Sequence, residues 1–188
     1  MEVWLTFVLA SSLILIIPGP TIILVIGQSI AHGKKSALPL VAGVLLGDFT
    51  AMTLSLMGLG AIMTTSATAF MLFKWLGVAY LIYLGVKTLL AKPSSFNGEL
   101  TGERRESPAS FFRRSYIVTA LNPKSIAFFV AFLPQFIDPA HGLFSQSLIY
   151  GTTFLLLATL NAALYAMFAV QLKEHIQRPG AERIFRLS

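Results

Sequence analysis

Of 188 residues, 55% are hydrophobic and only 12% charged, with a formal net charge of +6 and a mean hydropathy of +0.75. A soluble domain carries about 25% charged residues, so an ordinary soluble enzyme is excluded, and the placement of the basic residues described below speaks against nucleic acid as the partner. There are no cysteines, which removes disulfides, thiolate metal sites and thiol–disulfide relays from consideration.

Five apolar blocks follow one another, each clearing the roughly 20 residues that cross a bilayer as a helix. They are continuous rather than alternating, which selects helix over barrel strand. The predicted fold class is therefore all-α, a polytopic integral membrane protein. The first block, Val3 to Ala31, is too long for a cleaved signal peptide and has no positive leader, Glu2 being the only charge before His32. Pro18-Gly19-Pro20 interrupts it at its centre. Proline inside a helix costs about 3 kcal/mol, so two half-helices are expected in place of one rod. Residues 27–36 imitate a phosphate-binding loop, but with five residues between the glycines and no preceding strand. Gly33 is expected to end the helix instead, and the driving force to be a gradient rather than nucleotide hydrolysis.

The second block, Ala37 to Met63, carries Gly43, Gly47, Ala51 and Ser55 at four-residue intervals, a stripe that admits a neighbouring backbone. Packing within the bundle is the expected use, ahead of dimerisation. Asp48 lies about halfway along this block. The third block, Ala69 to Ala91, has Lys74 and Lys87 towards its ends, where they are expected to snorkel to the interfaces. Lys92 to Ser110 is the one long polar connection.

The fourth block, Phe111 to Ile137, is interrupted by Asn122-Pro123-Lys124, with Phe128-Phe129 and Phe132 beyond the break. These rings are expected to meet helices or lipid before a pocket. The fifth, Leu143 to Leu172, repeats small residues at Ala158, Ala162 and Ala166 and includes Asn161, expected to hydrogen-bond between helices. Residues 1–91 thus read as a first three-helix membrane repeat and 92–110 as a cytoplasmic linker. Residues 111–172 read as a second, incomplete repeat and 173–188 as a basic cytoplasmic tail. All Lys and Arg except Lys74 and Lys124 flank alternate connections. By the positive-inside rule that side is cytoplasmic, with the N-terminus outside. Spans one and four then enter from opposite sides, as an inverted repeat requires.

The two breaks share their chemistry. Pro20 and Pro123 suit the first turn of a restarted helix, with Gly19 and Asn122 as its N-caps. Pro18 and Pro123 deprive the carbonyls of Ile14 and Thr119 of their usual helical donors. Amides at a half-helix N-terminus suit a carboxylate, and carbonyls at a half-helix C-terminus suit an ammonium or a cation. An amino acid carries both charges. Plain proline kinks are the competing reading. Asp48 and Lys124 are the ionisable groups expected at depth, where each costs about 2.5–3.5 kcal/mol if left facing lipid. They are expected to pair in the empty state or to compete for substrate and proton, against the simpler reading of a fixed structural ion pair. The candidate substrate- or ion-binding residues are Pro18, Gly19, Pro20, Thr21, Asp48, Asn122, Pro123 and Lys124; no metal site and no cofactor are expected.

As an ordered set, these motifs resemble the LysE/RhtB family of bacterial amino-acid exporters. The matching stretches are Pro18-Gly19-Pro20, Gly43 through Gly47-Asp48, residues 76–85, and Leu121-Asn122-Pro123-Lys124 followed by Phe128-Phe129. The resemblance implies an inner-membrane exporter of amino acids or close derivatives working by proton antiport, with the two breaks as substrate site. Its expected partners are an amino acid, protons and the bilayer, with a homo-oligomer left open. Family members carry a sixth span, for which no apolar run remains after Leu172. A divalent-cation exporter would want several buried carboxylates, His or Cys where only Asp48 is on offer, and a non-transporting membrane subunit would use the breaks as mere kinks.

Overall fold

The computed structural model describes residues 2–90, 107–138 and 140–176, and all regular structure among them is helical. The linker residues 92–106, the tail beyond residue 176, and the side chains of Lys74 and Lys87 lie outside the described residues. In chain order the helices are α1 (Glu2–Ile16), α2 (Pro20–His32), α3 (Lys34–Thr65), α4 (Ala67–Leu90), α5 (Pro108–Ala120), α6 (Pro123–Ala127) and α7 (Leu143–Ile176). Two helices, over Lys34–Gly58 and Leu143–His175, are long and apolar enough to cross a membrane unbroken. Two bent pairs do so jointly: α1 with α2 at 55°, and α5 with α6 and its continuation to Phe136 at 41°. The chain is a polytopic helical membrane protein.

Each break follows from its prolines. Helix α1 stops at Ile16, two residues before the first ring that cannot donate. Gly19, extended at φ −106° and ψ −173°, is the N-cap of α2, and Pro20 occupies its first turn. Gly33 ends α2 at φ 69°, its amide donating to the Ser29 carbonyl; this left-handed φ favours glycine. Helix α5 begins at Pro108, a little before the expected Phe111, because Ser107 caps it by accepting from the Ser110 amide. At the second break Asn122 is the N-cap, its Oδ1 accepting from the Lys124 amide at 3.0 Å. Beyond α6 the helix widens to π geometry over Phe128–Phe132 and tightens to a 3-10 turn over Leu133–Phe136. Pro134 explains the slip. It has no N–H for the Val130 carbonyl, and the Leu133 amide reaches five residues back to Phe128.

Inside and outside of this bundle differ in residue size rather than polarity. On α7, Ala158, Ala162 and Ala166 are buried while Leu156, Leu160, Leu164 and Phe168 are exposed. Lipid tails are as apolar as leucine, so close backbone approach decides which face turns inward. The most extensive helix contact is between α3 and α5. There a Cβ on Gly47 would stand 2.7 Å from Thr119 Cβ and 2.9 Å from the Tyr116 carbonyl oxygen, and one on Gly43 would overlap the Ser115 hydroxyl. The four-residue stripe therefore packs within the bundle. Gly77 does the same for α4 against Ala131 in the π segment.

The core has two parts. Phe7, Phe128, Phe129, Tyr150 and Phe154 form an aromatic cluster, with Phe128 and Phe154 stacked at 4.4 Å. Phe128 and Phe129 thus meet neighbouring helices. Ile22, Val25, Leu40, Val44, Phe111, Ala162 and Ala166 form the second cluster. The end bearing Lys34 is tied by a Lys34–Glu174 ion pair at 3.1 Å and by Lys173 Nζ donating to the Ala31 carbonyl at 2.7 Å. In the α6–α7 connection, the Ala140 amide and the His141 ring hold the exposed Asp138 carboxyl below the usual carboxylate range.

Gly47→Leu forces a side chain into the α3–α5 contact, and overpacking of this kind costs about 1–3 kcal/mol. Thermal unfolding of the detergent-solubilised protein should register that loss. Gly58→Ala, whose Cβ meets nothing within 4 Å, should leave the midpoint unchanged or raise it.

Candidate functional site

The two breaks, about a hundred residues apart in sequence, touch. Thr21 Oγ1, in the first turn of α2, accepts from Thr119 Oγ1 at 3.2 Å and from Asn122 Nδ2 at 3.1 Å. A Cβ on Gly19 would lie 3.4 Å from Lys124 Cδ. Thr21, Thr119 and Asn122 are all buried, and buried polar atoms demand partners of this sort.

The second feature is the end of α1. A helix leaves its last four carbonyls without intrahelical donors, and in a membrane-spanning segment the protein itself is the main source of replacements. Here side chains from later helices reach every one of the carbonyls from residue 14 to residue 17. Lys124 Nζ donates to Ile14 and Ile17, each at 2.6 Å. Asn161 Nδ2 donates to Leu15 at 3.1 Å, and the Tyr165 hydroxyl donates to Ile16 at 2.8 Å. Lys124 thereby sits at the negative end of the α1 dipole, which favours a cation.

Two expectations change as a result. The Ile14 carbonyl is not left open for a ligand, because the chain's own ammonium occupies it. The Thr119 carbonyl also has a donor, the Asn122 amide at 3.0 Å. Nor do Asp48 and Lys124 form an ion pair in this conformation; two carbonyls hold the ammonium instead.

Asp48 projects from α3 into the same region. It is 4% exposed, and its Oδ1 has no hydrogen-bond partner among the described residues. Asp48, Gly19, Thr21, Asn122, Lys124, Ser125 and Asn161 line one cavity of about 40 Å³, closed on its apolar side by Ile22, Val44, Phe154 and Ala158 among others. A single water needs about 10–15 Å³ measured this way, so the cavity admits a few waters in this conformation and no amino acid. Five of the eight residues expected at the site line the cavity. Pro18, Pro20 and Pro123 do not; they shape the breaks. Asn161 makes the interhelical hydrogen bond expected of it. Tyr165 is not expected from the sequence, because nothing local distinguishes it from other membrane tyrosines; it becomes visible once the last turn of α1 is asked where its carbonyls find donors.

The model of the LysE type translocator family matches residues 12–187. A homoserine/homoserine lactone efflux protein of Salmonella typhimurium is 34% identical over 178 residues, covering 95% of this chain and 85% of that protein. An uncharacterized membrane protein of Vibrio cholerae is 31% identical over 179 residues, covering 95% and 86%. A leucine efflux protein of Klebsiella pneumoniae is 34% identical over 135 residues, covering 72% and 63%. No solved structure matches.

Tyr165→Phe removes one donor and keeps the ring, leaving the Ile16 carbonyl unmet. Interhelical hydrogen bonds in membranes are worth about 0.5–1.7 kcal/mol. The unfolding midpoint of the purified variant should fall accordingly, and Asn161→Leu should lower it by a similar amount through Leu15.

Proposed function

This chain belongs to the LysE type translocator family, and from that premise we propose that it exports amino acids or close derivatives across the bacterial inner membrane in exchange for protons. The observation that carries the reading is Asp48, buried with an unpartnered oxygen in a cavity that both helix breaks line. A buried carboxylate with one oxygen left unmet is a functional group by default, since burying an ionisable group is costly. Asp48 is the proton site in this account, and Lys124 is the charged side chain that lines the cavity beside it.

Substrate binding uses both ends of the interrupted helices. Gly19 brings no side chain to the first amides of α2, so a substrate carboxylate is the natural acceptor there. The carbonyl end of α1 favours the substrate's ammonium once Lys124 leaves it. The small cavity makes the described conformation a contracted one, and the 55° and 41° bends are the places where half-helices can swing to open it. Alternating access then comes from one bundle rocking against the other. For orientation, Lys34, Lys173 and the start of α5 are placed on the cytoplasmic side, in line with the positive-inside rule.

The printed activities of the relatives, homoserine or homoserine lactone efflux and leucine efflux, give the substrates to try first. Proteoliposomes loaded with labelled homoserine or leucine, and given an imposed pH gradient, provide the test. Export by the wild type should rise with the gradient. Asp48→Asn should lose that dependence and at least ten-fold in rate. Gradient-driven export that Asp48→Asn leaves intact removes the proton role, and absence of amino-acid flux in the wild type removes the exporter reading.

A further inference from the structure

Lys124 stands where a substrate's amino group would be expected. Its ammonium rests on two carbonyls, Ile14 and Ile17, while the two carbonyls between them are held by Asn161 and Tyr165. The four are thus served by two kinds of donor. The amide and the phenol sit on the long continuous helix α7, whereas Lys124 belongs to the short α6 at the second break and carries a four-carbon stem with three rotatable donors. Of these donors, the lysine has the most conformational freedom.

The cavity also holds somewhere for that ammonium to go. Asp48 Oδ1 is buried and unpartnered, and Asp48 and Lys124 line the same space. The Lys124 ammonium can be held either by the Ile14 and Ile17 carbonyls, of which Ile14 lines the cavity, or by the Asp48 carboxylate, and the described conformation is the first of these. A primary ammonium on a substrate has the same charge, the same three N–H donors and the same preference for carbonyl oxygen as the group it would replace.

We infer that the Ile14 and Ile17 carbonyls form a primary-ammonium subsite, which Lys124 fills in the empty protein and the substrate's amino group takes over, with Lys124 moving onto Asp48. Lys124 is in this sense an internal stand-in for the substrate. The subsite selects for a free primary amine ahead of any side chain, and an N-acylated analogue fails because it has no ammonium to exchange. The inference rests on the reading of this cavity as the substrate site.

Purified protein in detergent gives the test, with ligand-dependent thermal stabilisation as the readout. On the wild type, leucine methyl ester keeps the ammonium and loses the carboxylate, whereas N-acetylleucine does the reverse. The ester should bind within about ten-fold of leucine and N-acetylleucine at least ten-fold more weakly than the ester. Lys124→Ala vacates the subsite, so propylammonium should stabilise this variant saturably. Tetramethylammonium, which has no N–H, should not stabilise it, and the wild type should respond to neither ion. Equal binding of ester and N-acetyl compound, or a folded Lys124→Ala variant indifferent to propylammonium, overturns the inference while leucine binding keeps the site reading intact. No stabilisation of the wild type by leucine, homoserine or homoserine lactone overturns both. Should Lys124→Ala fail to fold, the wild-type comparison decides alone.

Discussion

A helix that stops inside a membrane must find donors for its last carbonyls, and most of this fold is arranged around meeting that demand. At the end of α1 the donors come from the protein itself. Lys124 comes from the second break, and Asn161 and Tyr165 from α7. Those contacts fix α7 against α1 and bring the two breaks face to face. A carbonyl left without a donor away from water costs roughly 1–3 kcal/mol, so losing several together is a large share of the stability of a chain this size.

The same demand explains why the breaks can be working parts and not defects. A continuous helix presents no free backbone to a solute. A broken one presents carbonyls on one side and amides on the other, and Thr21, Thr119 and Asn122 tie the two broken rods together beside the cavity. Small residues then let the rods approach: Gly43 and Gly47 seat α5 on α3, and Ala158 and Ala162 keep α7 close to the cavity wall. In the proposed cycle the polar cluster is the fixed centre, and the bends on either side of it are the hinges.

Much of this is legible in the amino-acid sequence itself. Pro18-Gly19-Pro20 and Asn122-Pro123-Lys124 announce their own caps and restarts, because proline chemistry is local. The spacing of Gly43 and Gly47 likewise announces a backbone contact. Which donor meets which carbonyl is not legible there. Lys124 reads as a partner for Asp48 because opposite charges at depth invite pairing, but the nearby carbonyls of Ile14 and Ile17 compete for the same ammonium. Tyr165 lies 149 residues from the carbonyl it serves, a separation no local pattern encodes. The π segment at Phe128–Phe132 is set by Pro134 together with packing of α4 at Gly77 and Ala131, and of these only the proline is a local signal.

The native chain contains no cysteine, which gives a clean background for the most direct measurement. Thr21 and Thr119 place their hydroxyl oxygens 3.2 Å apart, so cysteines in their place would bring the two sulfurs together. Mild oxidation of native membranes bearing Thr21→Cys together with Thr119→Cys should close an intramolecular disulfide. Thr21→Cys paired with Thr53→Cys should stay open. If both single-cysteine variants insert and fold yet the close pair never cross-links, the two interrupted helices do not meet, and the site described here does not exist.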